Sequence, residues 1–477
     1  MTDLSCVVTR PPRLLVFGSC LLACTSLASF AANNAKAADA LARADQSALP
    51  ITLNDGDKPL QFDWPALHIG TGEYQDGPTG VTVIHFQKRS LVAVDVRGGA
   101  PGTVNTDYVR LGYETPELDA IVFSGGSAYG LESITAVGSA LKDDGLRDSN
   151  FTNVAISVGA IIYDFGDRRL NEIYPDKRLA QATFRAARPG VIALGAHGAG
   201  RMAMSGGIFG CHAHSGQGAA FRQIGPVKIA AFVIVNSVGA IVTRDGQLAA
   251  CHRDPAWPAD ISPKDLLASM SAGVASPPRT PDAPKRNTTI SLIVTNKRMA
   301  PADLQRLAVQ VHTSMARAIQ PFATRFDGDV LYAVSTAEYE PPQEEAVVGN
   351  VLLDIAASEL MWDAVLTSIP EQPVAPQFAT SAPSTPPAQL TRFAGEYVFS
   401  PIARLRISTD GTHLFAEATG SRPVFAVNRG AKVSLQALSA AEFGVPGRYP
   451  FVVSFAAAGK VILNPGPWQQ TGIRQPK

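Results

Sequence analysis

The sequence predicts a mixed α/β region followed by a small all-β domain, and three observations carry that prediction. From Leu67 onward, strand-type and helix-type segments alternate. A Pro-rich stretch containing Pro370, Pro373, Pro376, Pro383, Pro386 and Pro387 then breaks the pattern. Beyond it the chain falls into short apolar runs separated by turn residues, the texture of an all-β module. With 477 residues, 46% hydrophobic and 17% charged, the chain is long enough for two or three domains. Lys+Arg and Asp+Glu both number 41, so the formal net charge is zero and nothing points to nucleic acid as a partner.

The N-terminus reads as an export signal. Arg10 and Arg13 precede an apolar run over residues 14–23, and Ser29-Phe30-Ala31 and Ala35-Lys36-Ala37 supply small-residue cleavage sites. The run is too short for a comfortable transmembrane helix. Leu21-Leu22-Ala23-Cys24 also resembles a bacterial lipobox, with Leu22 unusual in its place, which makes Cys24 a candidate lipid anchor. Residues 1–40 are therefore assigned to a signal peptide or lipoprotein signal, and the mature protein is expected to be periplasmic or secreted. Cys6, Cys20 and Cys24 lie in or near that signal. Cys211 and Cys251 either pair in an oxidising compartment or stand as two buried thiols, and their spacing carries no metal signature.

The elements follow in order. Gly80–Ile84 and Leu91–Val96 read as two strands joined by a polar turn. Gly98-Gly99-Ala100-Pro101-Gly102-Thr103 is a loop. Ala120–Phe123 is a short buried strand, and Ser124-Gly125-Gly126-Ser127 turns from it into a helix with Leu131, Ile134, Val137 and Leu141 at helical spacing. Lys177–Ala187 is a second helix. Ile229–Asn236 is a buried strand that residues 237–242 continue or pair with. Thr289–Thr295 is a strand, Pro301–Ala318 a helix, Val330–Val334 a strand and Val347–Val365 a long helix. Past the Pro-rich linker, Tyr397–Phe399, Ala403–Ser408, His413–Ala416, Pro423–Val427, Lys432–Leu435 and Phe451–Phe455 read as strands.

Four places have residues that can carry chemistry. The first is Asn287-Thr288, where a polar loop gives way to a strand. A Thr there either starts the strand or, after cleavage of the preceding bond, becomes an N-terminal nucleophile. Such a residue carries hydroxyl and amine base together, and an α-amine titrates at about 7.7–8.0. The second is Asp327-Gly328-Asp329, either an exposed turn or two carboxylates that orient an ammonium or hydroxyl or hold a metal; the further oxygen ligands of a calcium loop are missing. The third, Ser124-Gly125-Gly126-Ser127-Ala128-Tyr129-Gly130, lies between strand and helix like a nucleophile elbow, but Tyr129 stands where that motif needs Gly, which favours a close backbone turn. The fourth is the Gly-rich tract from Gly195 to Gly218 with His197, His212 and His214; it has no acidic or Cys partner at ligand spacing and no Gly-Lys-Ser/Thr ending, so no metal or other cofactor is expected.

These pieces occur together, in this order, in one family. Residues from about Ile51 to Leu366 resemble the L-aminopeptidase/D-esterase family, which includes β-peptidyl aminopeptidases and the nylon-oligomer endo-hydrolase. The resemblance rests on Thr79–Ile84, Ala93-Val94-Asp95-Val96-Arg97-Gly98-Gly99-Ala100-Pro101-Gly102-Thr103, Ser124–Leu131, Asn287–Ile290 and Asp327-Gly328-Asp329. It implies an α/β fold in a four-layer αββα sandwich like that of N-terminal-nucleophile hydrolases. It also implies a proenzyme that cuts itself between Asn287 and Thr288, giving a large piece (41–287) and a small piece (288–369), a linker (370–389) and an all-β module (390–477). Thr288 is then the nucleophile, Asn236 the oxyanion donor, Asp327 and Asp329 the orienting carboxylates and Tyr163 a pocket residue. Thr with Asp-x-Asp is similar to the nylon-oligomer branch, whereas the aminopeptidase branch carries Ser with Ser-x-Glu. The pocket Lys of the nylon-oligomer branch falls near Met204-Ser205-Gly206, where this chain has none. Family members assemble as oligomers of αβ units. Phe393-Ala394-Gly395-Glu396-Tyr397 resembles the lipocalin-like β-barrel appended to some secreted serine hydrolases.

Two functions follow. One is a self-processing aminopeptidase or amidase of short peptides or peptide-like amides, aminohexanoate-type oligoamides among them. The other, motivated by the missing Lys, is a non-catalytic periplasmic binding protein on the same scaffold.

Overall fold

The computed structural model describes residues 46–110, 116–166, 168–252, 261–271, 287–342, 346–374, 376, 378, 387–425, 427–445, 451–455 and 459–476. The expected export signal and Cys24 lie outside them. In chain order, the principal elements of the α/β region are β1 (Leu67–Tyr74), β2 (Thr79–Val96), β3 (Glu117–Ser124), α1 (Glu132–Asp143), β4 (Ser157–Ile161), α2 (Lys177–Arg185), β5 (Gln217–Ile224), β6 (Val227–Asn236), β7 (Thr288–Lys297), α3 (Pro301–Ser314), β8 (Val330–Tyr339) and α4 (Ala346–Thr367).

β2 joins the two halves of one 11-stranded hydrogen-bonded sheet, which face each other across a core. Its first half pairs with β1, from Tyr74 opposite Thr79 to Leu67 opposite Phe86, and with β3 on its other edge. Its second half pairs with β8, from Leu91 opposite Ser335 to Val96 opposite Val330. The expected polar turn at Gln87-Lys88-Arg89 is instead continuous strand, with a register break between His85 and Ser90 where the chain passes from one half of the sheet to the other. Those polar residues are largely exposed and satisfy the crossing rather than a reversal. From β2 the strand order runs β8, β7, β6, β5 on one side and β3, β4 on the other.

The alternation of side chains makes this a layered structure. Ala230, Phe232 and Ile234 of β6, Ile290, Leu292 and Val294 of β7, and Val330, Tyr332 and Val334 of β8 enter one core. Ile69, Ile84, Phe123 and Val158 of the β1–β4 half enter the same core from the opposite side. The intervening residues Ala231, Val233, Ile293 and Leu331 point the other way, against Leu304, Leu307 and Val311 of α3 and Leu360 and Met361 of α4. Both faces are buried, which is why these strands read as continuous apolar runs. α2 lies so close on β1 that a Cβ at Gly70 would meet the Thr183 carbonyl oxygen at 2.2 Å. The layers are thus αββα. β7 and β8 are parallel, and α3 makes the crossover between them. Residues 237–242 neither extend nor pair with β6: Ala240–Ile241 pairs with Ile319–Gln320.

A closed antiparallel barrel ends the chain. Helix α5 (Pro387–Phe393) leads into β9 (Gly395–Val398), β10 (Arg404–Thr409), β11 (Leu414–Ala418), β12 (Val433–Ala437), β13 (Glu442–Val445), β14 (Phe451–Ser454), β15 (Lys460–Leu463) and β16 (Gln470–Arg474). Leu390, Tyr397, Leu405, Phe443, Phe451 and Val461 fill its interior, so the barrel has a packed core. At the expected strand Pro423–Val427, Val424 and Val427 pair with each other, exchanging backbone hydrogen bonds of 3.0 and 2.9 Å, instead of joining a barrel strand. Part of the expected linker is docked on the α/β region: the Gln372 side chain accepts from the His214 N–H at 2.9 Å and donates to the His214 carbonyl at 2.8 Å. Residues 46–49 form a separate turn closed by Leu49 N–H to the Gln46 carbonyl. Among the described residues, no helix is long and apolar enough to cross a membrane.

Candidate active site

Three neighbouring interior strands bring their ends together at one end of the sheet. β6 runs antiparallel to β7, so its last residue, Asn236, lies opposite Thr288, the first residue of β7. β8 runs parallel to β7 and starts just after Asp327-Gly328-Asp329, with Asn287 bridged to Asp327. The structure therefore brings Asn236, Asn287, Thr288, Asp327 and Asp329 together, and all of them are buried.

The peptide bond between Asn287 and Thr288 is intact and held at both ends. The Thr288 hydroxyl donates to the Asn287 carbonyl at 2.6 Å. The same carbonyl accepts the Gly328 N–H at 2.9 Å, and the Asn287 N–H donates to the Phe326 carbonyl at 3.0 Å. A hydroxyl thus sits against a carbonyl whose oxygen already faces a fixed donor. Glycine is required for this: a Cβ at Gly328 would lie 2.8 Å from the Thr288 Oγ1 and 2.7 Å from the Ala100 carbonyl oxygen. The Arg-Gly-Gly-Ala string has the same explanation. Ala100 donates its N–H to the Asp327 carbonyl at 2.9 Å, and a Cβ at Gly98 would strike the Asp329 nitrogen at 2.1 Å.

The two carboxylates are interior acceptors rather than an exposed turn. Asp327 accepts from the Val238 N–H at 3.0 Å, the Thr324 N–H at 3.1 Å and the Thr324 hydroxyl at 2.6 Å. Asp329 accepts from the Thr289 N–H at 2.6 Å and the Ala323 N–H at 3.1 Å. Burial raises the pKa of Asp327, with the Thr324 and Val238 hydrogen bonds opposing. Burial raises Asp329 further, well above the usual carboxylate range, and the neighbouring charge of Asp327 adds to it.

Asn236 is fixed by partners on both ends of its amide. Its Oδ1 accepts the Met204 N–H at 3.1 Å and an Arg168 guanidinium N–H at 2.9 Å, and its Nδ2 donates to the Tyr163 carbonyl at 3.0 Å. Two donors on one side and a carbonyl on the other set which atom is oxygen. Tyr163 meets this cluster through its backbone carbonyl, which also accepts from Arg168 at 2.8 Å. Sequence reasoning missed Arg168; within Asp167-Arg168-Arg169 no spacing distinguishes it from a surface arginine. It also looked at position 204 for a side chain, whereas Met204 contributes its backbone N–H.

The other motifs lie outside this cluster. Ser127 does not stand as a nucleophile: its hydroxyl accepts the Asp164 and Phe165 N–H groups at 3.2 and 3.1 Å, and Gly126 donates to Asp164 at 2.9 Å. The Ser-Gly-Gly-Ser string is thus a turn that holds the loop carrying Tyr163. In the Gly-rich tract, His197 meets Glu73 at 3.1 Å and His214 stacks on Trp468 with ring centres 3.6 Å apart. Cys211 and Cys251 form a disulfide.

Residues 62–375 match the model of Peptidase family S58. The chain is 41% identical over 319 residues to a 6-aminohexanoate-oligomer endohydrolase of Paenarthrobacter ureafaciens, covering 65% of this chain and 86% of that protein. It is 32% identical over 321 residues to an uncharacterized aminopeptidase of Mycobacterium tuberculosis, covering 62% of this chain and 87% of that protein. Among solved structures, it is similar to the L-aminopeptidase D-Ala-esterase/amidase of Ochrobactrum anthropi, with 18% identity, a TM-score of 0.46, and coverage of 67% of this chain and 88% of that one. These comparisons give no support to a non-catalytic binding protein. The match across the whole α/β region, containing Thr288 and the residues packed around it, establishes that the chain belongs to peptidase family S58 and is a hydrolase of peptide or amide bonds.

Proposed function

We propose that the chain matures by cutting itself between Asn287 and Thr288 and then works as an N-terminal-threonine amide hydrolase. The observation that carries this reading is the Thr288 hydroxyl 2.6 Å from the Asn287 carbonyl oxygen, with the Gly328 N–H on that oxygen at 2.9 Å. In maturation the Thr288 oxygen attacks the Asn287 carbonyl carbon. Negative charge develops on the carbonyl oxygen facing Gly328. The carbon–nitrogen bond breaks, and the Thr288 nitrogen takes up the proton the hydroxyl gives up. The resulting ester is hydrolysed by water to an Asn287 carboxylate and a free Thr288 with hydroxyl and α-amine.

In turnover that amine accepts the hydroxyl proton as the oxygen attacks a substrate amide. The Asn236 amide serves the oxyanion, and the departing amine takes the proton from the Thr288 ammonium. Water then releases the acyl group and restores Thr288. Asp327 and Asp329 orient the amine; Asp329 already accepts the N–H of the next residue, Thr289, at 2.6 Å.

The substrates in this reading are short linear peptides or peptide-like amides, and 6-aminohexanoate oligomers are tested first because the 41% identical relative is named for them. Export is part of the reading and draws support from the Cys211–Cys251 disulfide. Assembly of cleaved units into oligomers draws support from Val351, Leu352 and Ile355, exposed together on α4. The test is a Thr288→Ala variant assayed on aminohexanoate oligomers, aminoacyl anilides and β-peptides. It should stay uncut and inactive, and a Thr288→Ala protein that turns over any of these at the native rate overturns the reading.

A further inference from the structure

We propose that the C-terminal barrel is part of the catalytic unit because it fixes both donors that hold Asn236; this rests on the role given to Asn236 above. The barrel lies beyond residues 62–375, the part of the chain that matches the family model. It nevertheless reaches the site by two routes, each starting from the segment that enters β16.

The first route backs Arg168. The Gln470 side chain accepts the Leu170 N–H and donates to the Arg168 carbonyl, both at 2.7 Å. Leu170 itself is buried in the apolar core of the barrel, although it belongs to a loop of the α/β region. The loop is thus pinned on the barrel at Arg168 and Leu170, and Arg168 reaches Asn236 Oδ1 at 2.9 Å. The second route backs Met204. Trp468 stacks on His214, with rings 14° from parallel, and donates its indole N–H to the Arg201 carbonyl at 3.1 Å. His214 is the strand partner of Met204, and Met204 supplies the other donor to Asn236 Oδ1 at 3.1 Å.

Trp468 and Gln470 are buried, so these are interior contacts rather than a loose surface encounter. An oxyanion donor is useful only when its direction is set before the charge appears. Here Oδ1 is held by two donors and Nδ2 by one carbonyl, so the Asn236 amide has a single orientation. Removing either route releases one of the Oδ1 donors and lets the amide swing. Trp468 and Gln470 are positioning residues: neither touches the Asn287–Thr288 bond. Self-cleavage depends on the Gly328 N–H at the Asn287 carbonyl and does not pass through this route.

The experiment uses the full chain with Gln470→Ala, Trp468→Phe and their combination, and Lys432→Ala on the outer barrel surface as a control. The probe is whichever aminohexanoate oligomer or aminoacyl anilide the native processed enzyme turns over. Each site variant should process normally and lose about tenfold in kcat with KM within about twofold, the size expected when a donor is displaced by a fraction of an ångström. In an Asn236→Ala background the same substitutions should add nothing. A crystal structure of Gln470→Ala gives a readout independent of turnover, in which the Arg168–Asn236 contact should be lost. Native kcat in the folded double variant, or an unmoved Arg168–Asn236 contact, overturns the proposal. Should Thr288→Ala stay active, the reading of the site itself is what fails.

Discussion

Gly328→Ala places the sharpest steric demand on the proposed maturation step. Gly328 has no left-handed backbone requirement, so the substitution acts through space alone. The new methyl group would lie 2.8 Å from the Thr288 Oγ1 and 2.7 Å from the Ala100 carbonyl oxygen, with Pro101 Cα at 3.2 Å. Contacts under 3.0 Å do not persist, and two of the three neighbours are backbone, so the threonine hydroxyl or the Gly328 segment must give by roughly half an ångström. A misplacement of about 1 Å costs on the order of 10²-fold, so half that predicts roughly a tenfold slowing of self-cleavage. Overpacking also costs about 1–3 kcal/mol of stability. Purified precursor followed on denaturing gels measures the rate, and a thermal melt measures the stability. Cleavage at the native rate in a folded Gly328→Ala protein would refute the argument that the hydroxyl and the Gly328 N–H act on one carbonyl.

Asn236→Ala should lower kcat by about 10²–10³ while leaving self-cleavage intact, which separates the oxyanion donor of turnover from that of maturation; steady-state kinetics beside a processing gel checks both halves. Asp329→Asn, made in a Thr288→Ala precursor, should change how stability depends on pH. The folded Asp329 binds its proton more tightly than the unfolded one, so stability is full below the usual value of 3.8 and falls as pH rises through the raised folded value. Asn removes that fall, so the melting temperature of the Asn precursor minus that of the Asp precursor should rise from pH 4 to pH 7; a difference that stays constant would contradict a raised carboxyl. Reduction of the Cys211–Cys251 disulfide, which closes a loop of 40 residues, should cost about 4 kcal/mol in the chain-entropy account, read as a lower melting temperature with dithiothreitol.

The layered fold was legible where the strands run as continuous apolar segments. Residues 229–236, 289–295 and 330–334 are apolar on both faces because the strands lie between a helix layer and the other half of the sheet. The passage of β2 between the two halves of the sheet was not legible, since Gln87-Lys88-Arg89 has the composition of a turn and only pairing partners remote in sequence keep it extended. The barrel strands Glu442–Val445, Lys460–Leu463 and Gln470–Arg474 were missed for a similar reason: each is four or five residues long and owes its strand conformation to closure of the barrel. At the site, Thr288, Asp327 and Asp329 could be found because they flank strand starts with recognisable neighbours. Arg168 and Gln470 could not, being 302 residues apart in the chain and brought together by the docked barrel.

N-terminal sequencing and mass measurement of the purified, active protein decide whether the chain is cut between Asn287 and Thr288. Two co-purifying pieces are expected, one ending at Asn287 and the other beginning at Thr288 with a free α-amine. An active protein that remains one intact chain, or one cut at any other bond, would contradict this cleavage.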